Sequence, residues 1–408
     1  MGVLKNIGTL ACCRESGGQS DIHIIKNAAV CWDGNGIITF AGPETDLPNS
    51  FQDDEIIDAG GMLVTPGLID CHTHLAFGGW REEEFEKRIL GKSYLEIARE
   101  GGGILSTVKA TRAATEEELL KKCEKFAAEI LSLGVTTIEC KSGYGLDYAN
   151  EIKLLNVYKR LSTLSPLTIV STFLGAHTIP PEFKENRAAY IKLLTEKLIP
   201  EVAEKKLALF CDVFVEDTAF SVDEARAILN SAKAYGLSLK LHVDQITNCG
   251  GTLLAAELGA ASADHLECID ENGISALKAS GTVAVALPFA SLYTHQKPLN
   301  ARKLIEAGVP VAVATDFNPG SAPSFHLPFA MTLACTMNYM TPAEVLKGAT
   351  IYAAKALKLE DKYGSIEEGK LADLAVFEAE SVNHWLYHVR ANGCRCLIKN
   401  GLKLASGN

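Results

Sequence analysis

Eight short stretches of almost continuous hydrophobic residues follow one another along the middle of the chain, and amphipathic stretches separate them. Strands that are buried on both faces have this pattern, whereas strands with one exposed face alternate. The amphipathic stretch 221–236 opens at Ser221 with an acidic first turn and closes at Gly236, which predicts a helix. The eight hydrophobic stretches are 62–71, 134–141, 167–175, 208–215, 237–244, 261–267, 281–288 and 309–316.

Strand and helix alternating eight times predict an α/β fold, a closed (β/α)8 TIM barrel. An open doubly wound sheet is the alternative, but no GxGxxG lies at a strand-to-helix turn to support its dinucleotide-binding version. The connection between the first two strands is about 60 residues long, well beyond a usual crossover. Long loops at the carboxyl ends of barrel strands usually carry function.

The two ends of the chain are organised differently from its middle. Short β-rich runs alternate there with Asn, Gly and Pro turn signals. We therefore expect residues 1–60 and 363–408 to meet in a small composite β-sandwich domain, beside a barrel domain of residues 61–362.

Composition narrows the class of protein. The 408 residues are 47% hydrophobic and 22% charged, which is ordinary for a globular protein, and the net charge is −11 without any block of like charges. A nucleic-acid partner is not expected, since no basic stripe is present. No apolar run approaches the roughly 18 residues of a membrane span, and the N-terminus is a poor signal peptide. The twelve cysteines include no CxxC motif, so we expect reduced thiols in a cytoplasmic protein.

The clearest chemical signal is the sequence Asp70-Cys71-His72-Thr73-His74 at the end of the first predicted strand. Because side chains alternate along a strand, the two imidazoles point the same way and lie close enough to share one ion. Alone, the pair could also consist of two structural histidines, which is the lesser alternative.

Other candidate ligands fall at matching positions along the chain. Five of the ten histidines lie at or just past predicted strand ends, and Asp316 ends the eighth strand. These positions converge at one mouth only if the barrel forms. Three imidazoles and a carboxylate leave an open position for water, which is typical of a catalytic metal site, and Asp316 could also accept a proton. The five histidines are His72, His74, His177, His242 and His265.

Several longer motifs resemble one known family. PGLIDCHTHL, ECKSGYGLD, FLGAH, LHVDQ, SADHLE, VAVATDFNPGS and GSIEEGKLADLAVF are similar to the amidohydrolase superfamily and, within it, to the imidazolonepropionases of histidine degradation. The resemblance implies hydrolysis of the ring amide of 4-imidazolone-5-propanoate to N-formimidoyl-L-glutamate. It also implies one Zn or Fe ion per subunit, a small anionic substrate and a homodimer.

The resemblance assigns roles to individual residues. The fourth strand ends at Glu216 without the lysine that bridges two ions in binuclear relatives, so one ion is expected. Tyr94 is a weaker candidate for substrate contact. The metal ligands would be His72, His74, His242 and Asp316; the catalytic residues would be Asp316 and His265; and the substrate-binding residues would be Arg81, Tyr144, His177, Gln245, Asn318, Gly320 and Ser321.

Two alternatives remain open from the residues. Another mononuclear amidohydrolase, a ring deaminase or a cyclic amidase, would share the ligands, although Gln245 stands where a deaminase usually needs an acid. A non-enzymatic scaffold of the same fold is more remote, because such proteins typically lose ligands. The loop 288–297 departs from the family pattern, and it borders the predicted pocket, so it bears on the choice of substrate.

Overall fold

The computed structural model describes residues 1–47, 55–92, 96 and 102–404. Its strands form two eight-stranded sheets. The strands are β1 (Gly2–Ala11), β2 (Ile24–Trp32), β3 (Ile38–Pro43), β4 (Glu55–Asp58), β5 (Leu63–Pro66), β6 (Leu68–Asp70), β7 (Val135–Lys141), β8 (Thr168–Ala176), β9 (Phe210–Val215), β10 (Ser238–Val243), β11 (Ser262–His265), β12 (Val283–Ala286), β13 (Val311–Val313), β14 (Leu374–Phe377), β15 (Cys394–Lys399) and β16 (Leu402–Leu404).

Helices occupy most of the connections. Three of them begin with a capping box, at Thr115, Ser221 and Thr341, so the predicted helix start at Ser221 is confirmed. Within the described ranges the α-helices are α1 (Glu82–Ile89), α2 (Ile104–Ala113), α3 (Glu116–Ser132), α4 (Tyr148–Leu164), α5 (Arg187–Leu193), α6 (Ile199–Glu204), α7 (Val222–Ala234), α8 (Gly251–Leu258), α9 (Glu271–Ser280), α10 (Pro288–Thr294), α11 (Ala301–Ala307), α12 (Leu327–Met337), α13 (Pro342–Gly348), α14 (Ile351–Ala356) and α15 (Val382–Tyr387). Short 3-10 turns cover Glu44–Asp46 and Pro181–Phe183, and a π turn covers Leu194–Leu198.

The second sheet is the predicted barrel. Its strands lie in the order β6 to β13, each parallel to its neighbours. The segments that follow the first and last strands join through a parallel bridge between Thr73 and Phe317. The Asp316 amide also donates to the His72 carbonyl at 3.0 Å. The TIM-barrel prediction is therefore confirmed, and the ring closes at the carboxyl ends of the strands.

The first predicted hydrophobic stretch serves both sheets. Its first half, β5, pairs with β1 and β14 in the sheet of the chain ends, whereas its second half, β6, pairs with β7 in the barrel. Gly67 lies between the halves, where a Cβ would stand 2.4 Å from the Thr136 side chain. Only glycine allows the chain to pass so close to β7.

The first sheet is built from both chain ends, as predicted. Its path runs β16, β15, β14, β5, β1, β2 and β3, and β4 pairs with β1. Side chains from nearly all of these strands share one apolar cluster, including Leu4, Val30, Trp32, Leu374 and Ile398. The sheet thus has a core of its own beside the barrel. The division at residues 60 and 362 stays a prediction.

A loop from the first sheet reaches the amino end of the barrel. Gln19, between β1 and β2, donates to the Val311 carbonyl at 2.7 Å and accepts from the Val311 amide at 3.0 Å, as a strand neighbour would. The buried ammonium of Lys347 on α13 donates to carbonyls of Ser16, Gly18 and Asp21 between 2.9 and 3.1 Å. These contacts join the two sheets.

Two earlier expectations concern the whole chain. Within the described ranges, no helix is long and apolar enough to cross a membrane. None of the twelve cysteines forms a disulfide in this part of the chain, and seven of the thiols are buried.

Replacement of Lys347 by Met should destabilise the protein. The substitution removes a buried ammonium that donates to three carbonyl groups of the loop, so we expect the free energy of unfolding to fall by about 2 kcal/mol. Urea unfolding measures the change. Lys355→Met is the matched control, because Lys355 pairs with Glu15 of the same loop at the surface and should cost no more than about 1 kcal/mol. Equal losses in the two variants would contradict this reading.

Candidate metal centre and active site

The barrel brings the predicted strand-end residues together at one mouth. The His72 ring lies 5.4 Å from that of His74, 4.5 Å from that of His242 and 5.8 Å from that of His265, between centroids. A carboxylate oxygen of Asp316 lies 3.4 Å from His72 Nε2 and 3.5 Å from His74 Nε2. These residues lie at the ends of β6, β10, β11 and β13, so the closed barrel alone explains their meeting.

The centre offers donor atoms to a cation. Ligand atoms of His72, His74 and His242 all lie within 4.8 Å of one another, as do those of His72, His265 and Asp316. Among the described residues, His72 Nε2 and His242 Nε2 are buried without a hydrogen-bond partner. Burial without a partner is costly for an imidazole nitrogen, and a metal ion would satisfy both atoms.

The ionisation states also fit a metal ion. Burial lowers the pKa of His242 well below its ordinary value and also lowers that of His74, so both rings are held in the neutral form that binds metals. Burial opposes ionisation of Asp316, but the adjacent imidazoles of His72 and His74 hold its pKa well below the usual range. Three imidazoles and a carboxylate therefore suit one divalent ion such as zinc.

The pKa of His72 indicates that the electrostatic potential at the centre is negative. Burial and the Lys141 ammonium lower its pKa, yet the carboxylates of Asp264 and Asp316 outweigh them, and the net shift is upward. A cation at the centre satisfies the same negative potential that would otherwise hold a proton on His72.

Two buried carboxylates orient the imidazoles. Asp264 Oδ2 lies 2.7 Å from His72 Nδ1, and Asp212 Oδ1 lies 3.0 Å from His242 Nδ1. A carboxylate at Nδ1 fixes the proton there and turns Nε2 toward the centre, which is how metal-binding histidines are usually supported.

Two lysines hold these carboxylates in place. Lys141 Nζ lies 2.7 Å from Asp212 and 2.9 Å from Glu139, and Lys240 Nζ lies 2.7 Å from the other oxygen of Glu139. These four side chains and that of Asp264 are fully buried. Burial opposes the charge on Lys141, but Asp212 and Glu139 raise its pKa above the ordinary value. We call Glu139, Lys141, Asp212, Lys240 and Asp264 the ionic network.

Sequence reasoning missed most of the ionic network. In the sequence analysis, no chemical role is given to Glu139, Asp212, Lys240 or Asp264. A signal was present, since these charged residues interrupt strands that are otherwise hydrophobic, and an isolated charge cannot remain in a barrel interior without a partner.

Aromatic side chains line the next part of the mouth. His177 stacks on His74 with centroids 5.2 Å apart, and Tyr144 lies 5.4 Å from His177. Burial lowers the pKa of His177 to about 3, so its ring is neutral, and its Nδ1 lies 3.1 Å from the Gly143 carbonyl. Flat rings on one side of the centre suit a planar heterocycle.

The turn that carries Tyr144 is held from below. The buried carboxylate of Glu151 accepts hydrogen bonds from the amides of Gly143, Gly145 and Leu146, between 2.8 and 3.2 Å. Arg112 donates to the Gly145 carbonyl at 2.7 Å. The aromatic ring thus stands on a rigid base.

Arg81 lies against the loop that follows β13. Its guanidinium covers Gly320 so closely that a Cβ there would lie 1.4 Å from Nη2. Its Nε lies 3.5 Å from Glu84, and its side chain is only 8% exposed. A buried guanidinium so placed can form the two-pronged hydrogen bonds that carboxylates prefer.

Asn318 holds this loop together. Its amide accepts from the Gly320 and Ser321 amides at 2.8 Å each, and it donates to the Asp316 carbonyl at 2.7 Å and to the Ser321 hydroxyl at 3.0 Å. Because these hydrogen bonds occupy the Asn318 side chain, its role is to fix the conformation of the loop. The backbone of Gly320 lies directly beneath Arg81, where a side chain would not fit.

The remaining predicted residues lie just past β10 and at the end of β11. Gln245 is half-buried, and its carbonyl accepts from the Cys268 thiol at 3.6 Å. His265 Nδ1 lies 3.7 Å from Glu267, and both side chains are 3% exposed. Sequence reasoning missed Glu267, although it stands in the motif SADHLE. Tyr94 lies outside the described residues.

Three residues at the same mouth have a left-handed backbone conformation. His265 has a φ of +82°, Asp316 of +57° and Asp244 of +50°. This conformation is uncommon for residues other than glycine, although Asp and His adopt it more readily than most.

The chain is similar to known proteins over nearly its whole length. The family model described as Amidohydrolase family matches residues 63–403. An imidazolonepropionase of Fusobacterium nucleatum is 48% identical, with 98% of this chain and 97% of that protein covered. An imidazolonepropionase of Geobacillus thermodenitrificans is 47% identical, with 94% and 91% covered.

A solved structure supports the fold. The crystal structure of an adenosine deaminase from Xanthomonas campestris with bound zinc superimposes with a TM-score of 0.74. The two proteins share 17% sequence identity, and the match covers 98% of this chain and 92% of that one. At this identity the likeness concerns the fold alone.

Replacement of Asp212 by Asn should weaken metal binding. The change removes the anion that orients His242, so we expect affinity for Zn²⁺ to fall by about 10–100-fold. Competition with a chromogenic chelator measures it, with melting temperature recorded in parallel. Asp217→Asn, at an exposed position past the same strand, is the control and should change nothing. Unaltered affinity in a folded Asp212→Asn variant would count against the orienting role.

Proposed function

Because this chain belongs to the amidohydrolase family and, within it, to the imidazolonepropionases, we propose that it hydrolyses the ring amide of 4-imidazolone-5-propanoate to N-formimidoyl-L-glutamate. The observation that carries the proposal is that one mouth of the barrel has both a donor set for a metal ion and a guanidinium that can bind a carboxylate. A donor set for a metal ion lies beside flat rings, and a buried guanidinium lies at the loop that carries the carboxylate ligand.

The reaction adds water across one carbon–nitrogen bond. The water oxygen joins the carbonyl carbon, the bond from that carbon to the ring nitrogen breaks, and the nitrogen takes up a proton. When bound by His72, His74, His242 and Asp316, one Zn or Fe ion supplies Lewis acidity, which makes water a better nucleophile and the carbonyl a better electrophile.

Asp316 and His265 handle the protons in this proposal. The ionised carboxylate of Asp316 accepts a proton from the attacking water. His265 lies beside His242, with ring centroids 5.4 Å apart, and Glu267 stands on its Nδ1 side. From this position His265 can stabilise charge on the attacked oxygen and deliver a proton toward the leaving nitrogen.

The other residues bind and orient the substrate. Arg81 holds the propionate carboxylate by two parallel hydrogen bonds. Tyr144 and His177 pack against the imidazolone ring, and Gln245 donates a hydrogen bond to it. The loop of Asn318, Gly320 and Ser321 completes the wall beside Arg81.

Three further parts of the proposal rest on the composition of the chain or on the resemblance. A cytoplasmic location, a homodimer and the absence of nucleic-acid partners stay predictions.

The reaction itself is the first test. Protein loaded with metal is incubated with freshly generated 4-imidazolone-5-propanoate, and we expect its ultraviolet absorbance to decay while N-formimidoyl-L-glutamate accumulates by mass. A chelator should stop the decay, and added Zn²⁺ should restore it. Asp316→Asn serves as the inactive control. Metal-loaded protein without turnover would refute the substrate and direct the search to other cyclic amides.

Replacement of Arg81 by Ala should raise KM far more than it lowers kcat. The lost hydrogen bonds to the carboxylate are charge-assisted, so an increase of at least about tenfold is expected. Steady-state kinetics with the imidazolone measures both constants. Arg160→Ala, which removes a surface guanidinium paired with Glu116 and Glu117, is the control. An unchanged KM in Arg81→Ala would refute the clamp.

A further inference from the structure

Arg81 lies at the end of the loop between His74 and α1. A lysine on another helix donates hydrogen bonds to two main-chain carbonyl groups of this loop. Lys122 on α3 donates to the Phe77 carbonyl at 3.1 Å and to the Gly79 carbonyl at 3.0 Å. Both acceptors lie within four residues of Arg81. The ammonium therefore fixes the direction in which the chain enters α1.

The same ammonium lies on two aromatic faces of this loop. Lys122 Nζ is 3.7 Å from the ring centroid of Phe77 and 4.8 Å from that of Trp80. Phe77 and Trp80 contact each other edge to face with centroids 4.9 Å apart. Attraction between a cation and an aromatic face adds to the two hydrogen bonds, so one charge holds both main chain and side chains.

Neutral contacts hold the opposite side of the loop. The Gly78 amide donates to the Thr111 hydroxyl at 2.9 Å, and a Cβ on Gly78 would lie 2.5 Å from the Ala110 carbonyl group on α2. The Ala76 amide donates to the Tyr158 hydroxyl at 3.0 Å. The loop thus lies between helices α2 and α4 on one side and the Lys122 ammonium on the other.

Among the described residues, the titratable groups that act on Lys122 are Glu82 on α1 and the Cys123 thiol on α3. Burial lowers the pKa of Lys122 to about 8, although the negative charge of Glu82 favours its positive form. Burial raises the pKa of the Cys123 thiol to about 12, so that thiol stays neutral near pH 8. Lys122 can therefore lose its charge under mildly alkaline conditions.

We propose that Lys122 is a positioning residue that locks the Phe77–Trp80 loop and thereby sets Arg81 over the substrate carboxylate. The inference rests on the proposed function, because it takes Arg81 as the clamp. Lys122 does not touch the substrate, and it acts through the loop alone. Binding of anionic substrates therefore depends on its charge.

The direction of the pH effect follows from the charged form. Below pH 8 the ammonium holds the loop by charge-assisted bonds. As the pH rises through 8, the neutral amine keeps weaker hydrogen bonds and loses its attraction to the rings, so the loop loosens and KM rises. Arginine stays charged throughout this range.

The kinetic test compares three variants with the wild type between pH 6.5 and 9.5. Lys122→Met should raise KM about tenfold at pH 6.5 while kcat stays within about twofold, and its KM should differ less from that of the wild type above pH 8. Lys122→Arg should keep a low KM and remove the alkaline rise seen in the wild type. Lys121→Met, at an exposed position on the same helix, should match the wild type. Lys122→Met with a wild-type KM, or an alkaline rise that persists in Lys122→Arg, would overturn the proposal.

A second readout needs no turnover. Trp80 fluorescence in the metal-loaded protein should titrate near pH 8 in the wild type, and the titration should vanish in Lys122→Arg and in Trp80→Phe. If this titration is present while Arg81→Ala leaves KM unchanged, the loop lock holds and the clamp fails. A wild type without the titration refutes the lock itself.

Discussion

The ionic network beneath the histidines is the constraint on which this site depends. Lys141 and Lys240 are fully enclosed by the barrel, where an unpaired ammonium would cost several kcal/mol. Their carboxylate partners must therefore be present and in place before the barrel can close. Asp212 and Asp264 also contact the Nδ1 atoms of His242 and His72. The carboxylates that balance the charge of the buried lysines are therefore the same ones that orient the imidazoles.

Much of the fold could be predicted because it depends on short-range patterns. Each of the eight hydrophobic stretches covers a barrel strand, except that β8 ends one residue past its stretch, and the strand-end positions of the histidines and of Asp316 then require one shared mouth. What the pattern could not resolve was the division of the first stretch. A continuous hydrophobic run gives no sign that Gly67 sends its two halves into different sheets, since that depends on partners distant in the chain.

The supporting residues of the site were harder to find, for a physical reason. A metal ligand stands at a strand end in a recognisable motif, whereas Lys240 or Asp212 is only a charge inside a strand, and its partner depends on strand order. The place of Arg81 over Gly320 and that of Lys122 under the Phe77–Trp80 loop depend likewise on how α1 and α3 pack against the barrel. Spacing along the chain carries little of this information.

Closure of the ring has a consequence for biosynthesis. The bonds that join the first strand to the last link partners such as Asp70 and Thr315, which are 245 residues apart in the chain. A chain emerging from the ribosome exposes His72 and His74 early, but a pair of imidazoles without the later ligands holds an ion only weakly. The complete donor set arises only after the eighth strand has been made, because Asp316 follows that strand. A chain that ends before β13 therefore lacks the carboxylate of the donor set and the strand that closes the ring.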